Sequence, residues 1–314
     1  MKKEMLLRLL LCLFLACLSP SGSWAEENAS LAHSGHPAES GWVALQDASL
    51  LNIPNLNIEE KTVWRYPYEN IPIYIQNQTI KGVLRSPSGM AGSEVAVSIS
   101  SFNTSAFLGA FQAKDNSAKI LGKVSRLKLN RSGEASFALN KTYNGMYMIS
   151  VIDENNSTIL SALPLLVTPG EMSLDAPAQI AAGDVLTLKA NISKAENVSK
   201  IFAAIMISRT DYENASVNLN SSGTEEDLNS TISLGNKSVA MRGIPRISSE
   251  LLMQIIALLP MDSAVGMQET KGEEAEIILI TGAQWEKGSY ILICGVYSPG
   301  RGLLGIKEKM IEVI

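Results

Sequence analysis

Short stretches in which apolar and polar residues alternate recur along the chain from about residue 60, and they constrain the fold more than any other feature. Residues 94–99 (EVAVSI) and 135–139 (ASFAL) alternate strictly, and residues 146–151 (MYMISV) form a similar β-rich run. A period of two over such short stretches, with Gly, Asn, Ser and Pro between them, is typical of half-buried antiparallel strands. The sequence therefore predicts an all-β fold.

A weak internal repeat indicates how these strands are organised. Pro87 lies eight residues before Val95, and Pro177 lies eight residues before Val185. Each half ends with a Gly-X-Tyr strand opening, at residues 145–147 and 288–290, followed by a hairpin and a last apolar strand. A repeat of about 100 residues is the size of one β-sandwich, so we predict two tandem immunoglobulin-like antiparallel sandwiches, at residues 59–168 and 169–314.

The tyrosines of the two Gly-X-Tyr openings are candidates for a specific tertiary contact. In immunoglobulin-like sandwiches a tyrosine near the start of the penultimate strand bonds back to the preceding backbone and forms a tyrosine corner. Tyr147 and Tyr290 occupy that position. The alternative is that both are ordinary strand residues, because tyrosine is common in strands.

The N-terminus has the layout of a secretory signal peptide. Lys2 and Lys3 precede an apolar run at residues 9–18, and Ser23-Trp24-Ala25 offers small residues at the positions that signal peptidase requires. We therefore predict a signal peptide at residues 1–25 and a flexible polar lead at residues 26–58. Lipidation of Cys17 and an uncleaved anchor are the alternatives. His33 and His36 in the lead are not expected to bind a metal.

The density of Asn-X-Ser/Thr sequons is the strongest functional signal. Thirteen of the 20 asparagines begin such a sequon, which behind a signal peptide indicates N-glycosylation and a secreted or cell-surface location. The alternative is that Asn and Ser are simply turn residues of a β protein. The sequon asparagines are Asn28, Asn77, Asn103, Asn130, Asn140, Asn155, Asn156, Asn191, Asn197, Asn214, Asn220, Asn229 and Asn236.

The second half departs from the repeat in two places. Residues 213–238 are polar and carry four sequons, so we predict a glycosylated loop or strand edge there. Residues 248–259 have an N-capping serine, apolar residues at helical spacing and a terminating proline, so we predict a short helix. No asparagine follows Asn236. The final quarter therefore either faces another subunit or the cell surface, or consists mainly of interior strands.

Catalytic, cofactor and metal sites are not expected, and we predict that the chain is not an enzyme and needs no cofactor. No histidine follows residue 36, which removes Ser-His-Asp and Cys-His arrangements, and the carboxylate pairs lie beside turn residues. Cys294 stands alone after residue 17 and is expected to be a buried strand residue. Calcium at Asp175, Asp184 or residues 225–227 is the minor alternative.

Two classes of partner are not expected, and one stretch is a candidate ligand contact. The net charge of −5 without a basic face argues against nucleic acid. No segment after the N-terminus has the 18 or more apolar residues that a membrane span needs. The aromatic cluster Trp64, Tyr66 and Tyr68 is the one stretch that we would test for a ligand, the alternative being ordinary edge packing.

The mature chain resembles a family of methanogen extracellular proteins, an archaeal family of exported surface proteins. The resemblance rests on the signal peptide, the sequon density, the opening at residues 177–191 (PAQIAAGDVLTLKAN), the helix ending at Pro260 and the closing block at residues 288–293 (GSYILI). It implies export and a surface location, with other envelope or extracellular proteins, including copies of the chain itself, as partners. The leading hypothesis is a structural or interaction protein; the alternative is a secreted module that binds a peptide, sugar or surface polymer.

Overall fold

The computed structural model shows an all-β protein, which confirms the predicted fold class. The structure describes residues 43–52, 55–59, 63–65, 70–86, 90–101, 123–139, 143–153, 158–193, 198–220, 229–242, 257–298 and 301–314.

In the described ranges the strands form five sheets, and their bounds are as follows. The strands up to residue 168 are β1 Val43–Gln46, β2 Ser49–Asn52, β3 Asn55–Glu59, β4 Val63–Arg65, β5 Asn70–Ile75, β6 Ile80–Arg85, β7 Glu94–Ser101, β8 Lys123–Lys128, β9 Glu134–Leu139, β10 Gly145–Asp153 and β11 Thr158–Thr168. They are followed by β12 Glu171–Asp175, β13 Gln179–Ile180, β14 Val185–Ser193, β15 Lys200–Ser208, the short helix α1 Arg209–Glu213, β16 Ser216–Asn220, β17 Asn229–Leu234, β18 Lys237–Arg242, β19 Ala264–Thr270, β20 Glu274–Ile280, β21 Gly288–Ser298 and β22 Gly302–Val313.

The strand order repeats between the two parts of the chain. Sheet A (β1-β6-β9) and sheet B (β2-β5-β11-β10-β7-β8) contain strands up to residue 168. Sheet D (β12-β14-β20) and sheet E (β13-β22-β21-β15-β19) repeat this order in the later part, without a counterpart of β2. In both parts a parallel pair joins an early strand to the last one, β5 to β11 and β13 to β22. The repeat seen in the sequence is therefore a repeat of topology.

Each pair of sheets encloses its own apolar core. Between sheets A and B the core includes Leu84, Val97 and Val151, and between sheets D and E it includes Leu188 and Phe202. All five side chains are fully buried. Strands of both sheets contribute alternate residues to each core, as in sandwiches that pack face to face.

Sheet C connects the two parts and corrects two predictions. Its order is β18-β17-β16-β3-β4, and β3 pairs in parallel with β16, so residues 55–59 lie beside residues 216–220. Of the two alternatives for residues 213–238, the glycosylated loop is wrong where β16, β17 and β18 form, and these strands lie towards one edge of sheet C. The predicted flexible lead at residues 26–58 is wrong where it overlaps β1, β2 and β3. The predicted division into two domains stays a prediction, because sheet C takes strands from both parts.

Buried apolar residues at alternate positions explain why parts of residues 213–238 and of the predicted lead form strands. Ile232 and Leu234 of β17 are buried, and so are Val43 of β1 and Leu51 of β2. A two-residue turn at 235–236 joins β17 to β18, and Gly235 has a φ of 59°. Glycine at the first central position permits the hairpin turn whose twist matches the flanking strands.

The predicted helix at residues 248–259 lies mostly outside the described residues. Of its residues the structure describes Ala257 and Leu258, which are helical, and Leu259. Lys237 Nζ donates to the carbonyl oxygens of Ala257 and Leu259, at 2.9 and 3.0 Å. A cation at the last carbonyls of a helix is a favourable end contact.

The predicted tyrosine corner is confirmed at Tyr290. Its ring is buried in β21, and its Oη donates to the backbone oxygen of Glu286 at 3.1 Å. The ring also stacks on Trp285, with 5.0 Å between centroids. Tyr147 lies near the start of β10 in the earlier part, and burial is the main cause that raises the pKa of its hydroxyl.

We expect Tyr290→Phe to lower the free energy of unfolding by about 1–2 kcal/mol, because the buried corner loses its hydroxyl and the Glu286 carbonyl loses a donor. Urea denaturation followed by tryptophan fluorescence measures this difference. Tyr143→Phe is the control, because Tyr143 is 77% exposed and its hydroxyl is not part of the corner. Equal stability of the two variants would contradict a structural role for the corner.

Candidate glycosylation sites

Seven of the 13 sequon asparagines lie in the described part of the chain. Where the side chain is described it is exposed or half-buried, never buried: Asn77, Asn130, Asn214, Asn229 and Asn236 are exposed and Asn191 is intermediate. Asn220 is described by its backbone, in β16. Outside the described residues are Asn28, Asn103, Asn140, Asn155, Asn156 and Asn197.

Four of the seven sequon asparagines, Asn130 among them, lie outside the strands. Asn77 has a positive φ of 67° in the turn between β5 and β6. Asn236 lies in the β17–β18 hairpin, and Asn214 is the C-cap of α1. These positions project outward, because turns lie at the surface of β proteins.

Asn130 is in a turn whose hydrogen bonds converge on its side chain. Its Oδ1 accepts from the backbone N–H of Ser132 at 2.9 Å, from Ser132 Oγ at 2.7 Å and from the backbone N–H of Glu134 at 2.8 Å. The backbone closes the same turn, since Asn130 N–H donates to Glu134 O and Gly133 N–H donates to Asn130 O. The sequon is visible in the sequence, whereas its hydrogen bonds are not. Its signal is the Asn-X-Ser-Gly order, which favours a turn bonded through the asparagine side chain.

The remaining three sequon asparagines lie within strands. Asn191 pairs opposite Glu274 and Ser173 in sheet D, and its Nδ2 donates to Glu274 Oε1 at 3.1 Å. The hydroxyl of its sequon residue Ser193 donates to the Glu171 carbonyl oxygen at 3.4 Å. Asn220 and Asn229 face each other across the β16–β17 pair.

The candidate ligand-contact residues are only partly described. Trp64 lies in β4, the edge strand of sheet C, but its side chain lies outside the described residues. Tyr66 and Tyr68 also lie outside them. A ligand contact at Trp64, Tyr66 and Tyr68 therefore stays a prediction.

Two of the candidate calcium positions, Asp175 and Asp184, lie in the described part of the chain. Asp175 pairs opposite Lys189, five residues along β14 from the turn that contains Asp184. Asp184 contributes its backbone oxygen to Thr281, from which it accepts two hydrogen bonds. Residues 225–227 lie outside the described residues. Within the described ranges, no group of three His, Cys, Asp or Glu side chains is placed to hold a metal ion.

Three buried groups titrate at unusually high pH. Burial raises the pKa of the Cys294 thiol, in β21, to about 12. Burial, with Asp47 nearby, raises the pKa of Tyr74 to about 12, and burial, with Asp262 nearby, does the same for Tyr290. Because the neutral thiol is not a nucleophile, Cys294 is an inert core residue, as predicted.

These pKa shifts predict alkaline sensitivity. A group whose pKa is higher in the folded than in the unfolded chain adds stability that is complete below its unfolded pKa and lost as the pH rises towards its folded pKa. The unfolded values are 9.0 for Cys294 and 10.0 for the tyrosines, so we expect the melting temperature to fall between pH 9 and about 12. Cys294→Ala should weaken the fall in melting temperature that starts near pH 9. If the melting temperatures of the variant and the parent chain fell in parallel with pH, Cys294 would not be the group that titrates from pH 9.

No helix among the described residues has the length and apolar character needed to cross a membrane. The described residues after Asn236 include β18 to β22, and β21 is buried from Tyr290 to Ser298.

Comparisons with known proteins give matches among solved structures but none by sequence. No protein-family model matches the chain. No curated protein matches its sequence. Among solved structures, the crystal structure of red sea bream transglutaminase is similar at a TM-score of 0.31 and 9% identity, over 77% of this chain. The chain spans about 30% of the length of that enzyme.

This likeness corrects the prediction that the chain is not an enzyme. The matched protein is an enzyme, so the exclusion of catalysis drawn from the sequence is withdrawn. Resemblance at a TM-score of 0.31 carries no activity to this chain, since unrelated functions recur on shared β architectures.

Proposed function

We propose that this chain is an N-glycosylated protein of the cell surface or extracellular space, with a structural or interaction role. The observation that carries the proposal is the placement of the sequons. None of the six described sequon side chains is buried, and none belongs to either apolar core. An asparagine can carry a bulky, hydrated glycan only where the folded chain leaves room for it.

The cores supply the stability that disulfides give to many exported proteins. Cys294 is the one cysteine after residue 17, and it lies fully buried in the core between sheets D and E. Residues of two facing sheets, such as Leu188 and Leu292, exclude water from that core. A chain stabilised in this way needs no particular redox environment, which suits a location outside the cell.

The proposal extends to architecture and origin. Two tandem immunoglobulin-like sandwiches are supported by the repeated strand order and by the corner at Tyr290. The resemblance to methanogen extracellular proteins suggests an archaeal envelope, where other envelope proteins, including copies of this chain, would be the partners. The alternative, a ligand-binding module, depends on Trp64, Tyr66 and Tyr68 and stays a prediction.

Fractionation of the native cells, followed by glycopeptide mapping, tests the proposal. We expect the protein in the envelope or medium, with glycan on exposed sequons such as Asn77 and Asn236. Assembly of the purified protein into regular arrays, seen by electron microscopy, would support a structural role. Recovery of the protein from the cytosol with unmodified asparagines would contradict the proposal.

A further inference from the structure

The turn at Asn130 presents a sequon in the form that an acceptor reaction needs while the chain is folded. Asn130 is exposed, and none of the hydrogen bonds of the turn uses its Nδ2. The two N–H groups that donate to its Oδ1, those of Ser132 and Glu134, are not among those that close the turn through the backbone. The site is thus assembled without opening β8 or β9.

Three hydrogen-bond donors on the amide oxygen of Asn130 make it easier for the amide nitrogen to lose a proton. An amide nitrogen is a poor nucleophile because its electron pair is delocalised onto the oxygen. Hydrogen bonds to Oδ1 stabilise the negative charge that collects there when Nδ2 loses a proton. One of these donors is the hydroxyl of the sequon residue Ser132, at 2.7 Å.

Asn191 shows the opposite arrangement in β14. Its Nδ2 is engaged with Glu274, and the Ser193 hydroxyl donates to Glu171 instead of to the asparagine. The strand is paired on both sides, with β12 and with β20. For Asn191 to adopt the turn geometry of Asn130, residues 191–193 would have to break their pairing with both β12 and β20.

We propose that Asn130 accepts a glycan on the folded chain, whereas Asn191 accepts one only before sheet D forms. This inference rests on the proposed glycosylation and deepens it by giving the sequons an order relative to folding. The donor is an oligosaccharide linked to a polyprenyl phosphate or diphosphate. The Nδ2–C1 bond forms as the bond from C1 to the phosphate oxygen breaks. The bonding pair leaves with the phosphate, and a base of the transferase takes the Nδ2 proton, so no oxidant is needed.

Purified components test the order directly. The chain from residue 26 onward is made in a bacterial cytosol without glycosylation, folded, and mixed with an oligosaccharyltransferase and its lipid-linked sugar. The same chain, cut after glutamate, supplies unfolded reference peptides that keep both sequons whole. Mass spectrometry then gives the rate at each asparagine in folded chain and peptides.

We expect the folded and cleaved chains to react at Asn130 at rates within about threefold, because the turn needs no opening. At Asn191 the folded chain should react about 100-fold more slowly, because the doubly paired strand must open. The proposal would be overturned if the folded chain reacted at the same rate at Asn130 and Asn191. It would also be overturned if folding slowed the reaction at Asn130 as much as at Asn191, or if the cleaved chain did not react at Asn130. Unmodified asparagines in the native protein would contradict the proposed function without altering this result.

A variant pair tests the turn itself. Gly133 has a φ of 76°, and a Cβ there would lie 2.5 Å from Ser86 Oγ. Gly133→Ala should therefore distort the turn and slow the folded chain at Asn130 about tenfold, with the rate at Asn77 unchanged. Gly302→Ala is the control, since Gly302 has a φ of 81° with open space around it in a remote turn. A Gly133→Ala chain that melts like the control yet reacts at the parent rate would overturn the role of the turn.

Discussion

Phe202→Ala is expected to lower the free energy of unfolding by about 4 kcal/mol. Phe202 lies in β15 and is fully buried between sheets D and E. It pairs opposite Val296 of β21, and its side chain lies in the same apolar core as that of Leu188. Truncation removes most of a large apolar side chain and leaves a cavity that the rigid ladders on either side can close only in part.

Guanidinium denaturation of the parent chain and the variant measures this loss as a lower midpoint at unchanged slope. Ile278→Ala is the matched control, because Ile278 is also a large apolar strand residue but is 55% exposed. We expect the control to change stability by no more than about 0.5 kcal/mol. A Phe202→Ala midpoint equal to that of the control would mean that the core between sheets D and E is not formed as described.

Gly266→Val is expected to lower the free energy of unfolding by about 3 kcal/mol. Gly266 lies in β19 of sheet E, at a point where that strand passes directly against β20 of sheet D. A Cβ at this position would lie 2.5 Å from the backbone oxygen of Ile278 and 2.7 Å from Ile277 Cγ2. Because the nearest atom belongs to the backbone, the clash is relieved only if the two sheets separate.

Gly272→Ala, in the connection between β19 and β20, is the control for Gly266→Val. The nearest atom to a Cβ there is Thr270 Oγ1 at 3.4 Å, which is ordinary van der Waals contact. Thermal melts of both variants should show a large loss for Gly266→Val and a small change for Gly272→Ala. Equal melting temperatures would show that sheets D and E do not approach at Gly266.

The sequence predicted best those strands that have one buried face and a turn at each end. The alternating residues 135–139 lie in β9, where Phe137 and Leu139 are buried and Ser136 and Ala138 are exposed. Tyr290 was found because the Gly-X-Tyr opening recurs in the repeat. Such signals are local, so no knowledge of the partner strands is required.

Strands that depend on distant partners were missed. β1 pairs with β6 and β3 pairs with β16, and each supplies too few apolar residues to stand out from a polar segment. The polar sequons of residues 213–238 hid the alternation of Ile232 and Leu234. β15 is buried on both faces from Lys200 to Ile207, and a continuous apolar run carries no period to mark it.

The sequence located the sequons but not their geometry. All 13 are visible as a motif, whereas the convergence of three donors on Asn130 Oδ1 depends on the turn between β8 and β9. The engagement of Asn191 with Glu274 depends on the register of β14 against β20. The exclusion of catalysis failed for a different reason: the absence of familiar motifs in a sequence is not evidence about chemistry that uses other residues.

The intact mass of the native protein tests the central claim most directly. The full unmodified chain has a mass of 33.8 kDa. We expect a chain that begins at Glu26 and is heavier than its own polypeptide by several glycans, with the excess removed by chemical deglycosylation. A native protein that retains Met1 and has the mass of the bare 314-residue chain would contradict the account.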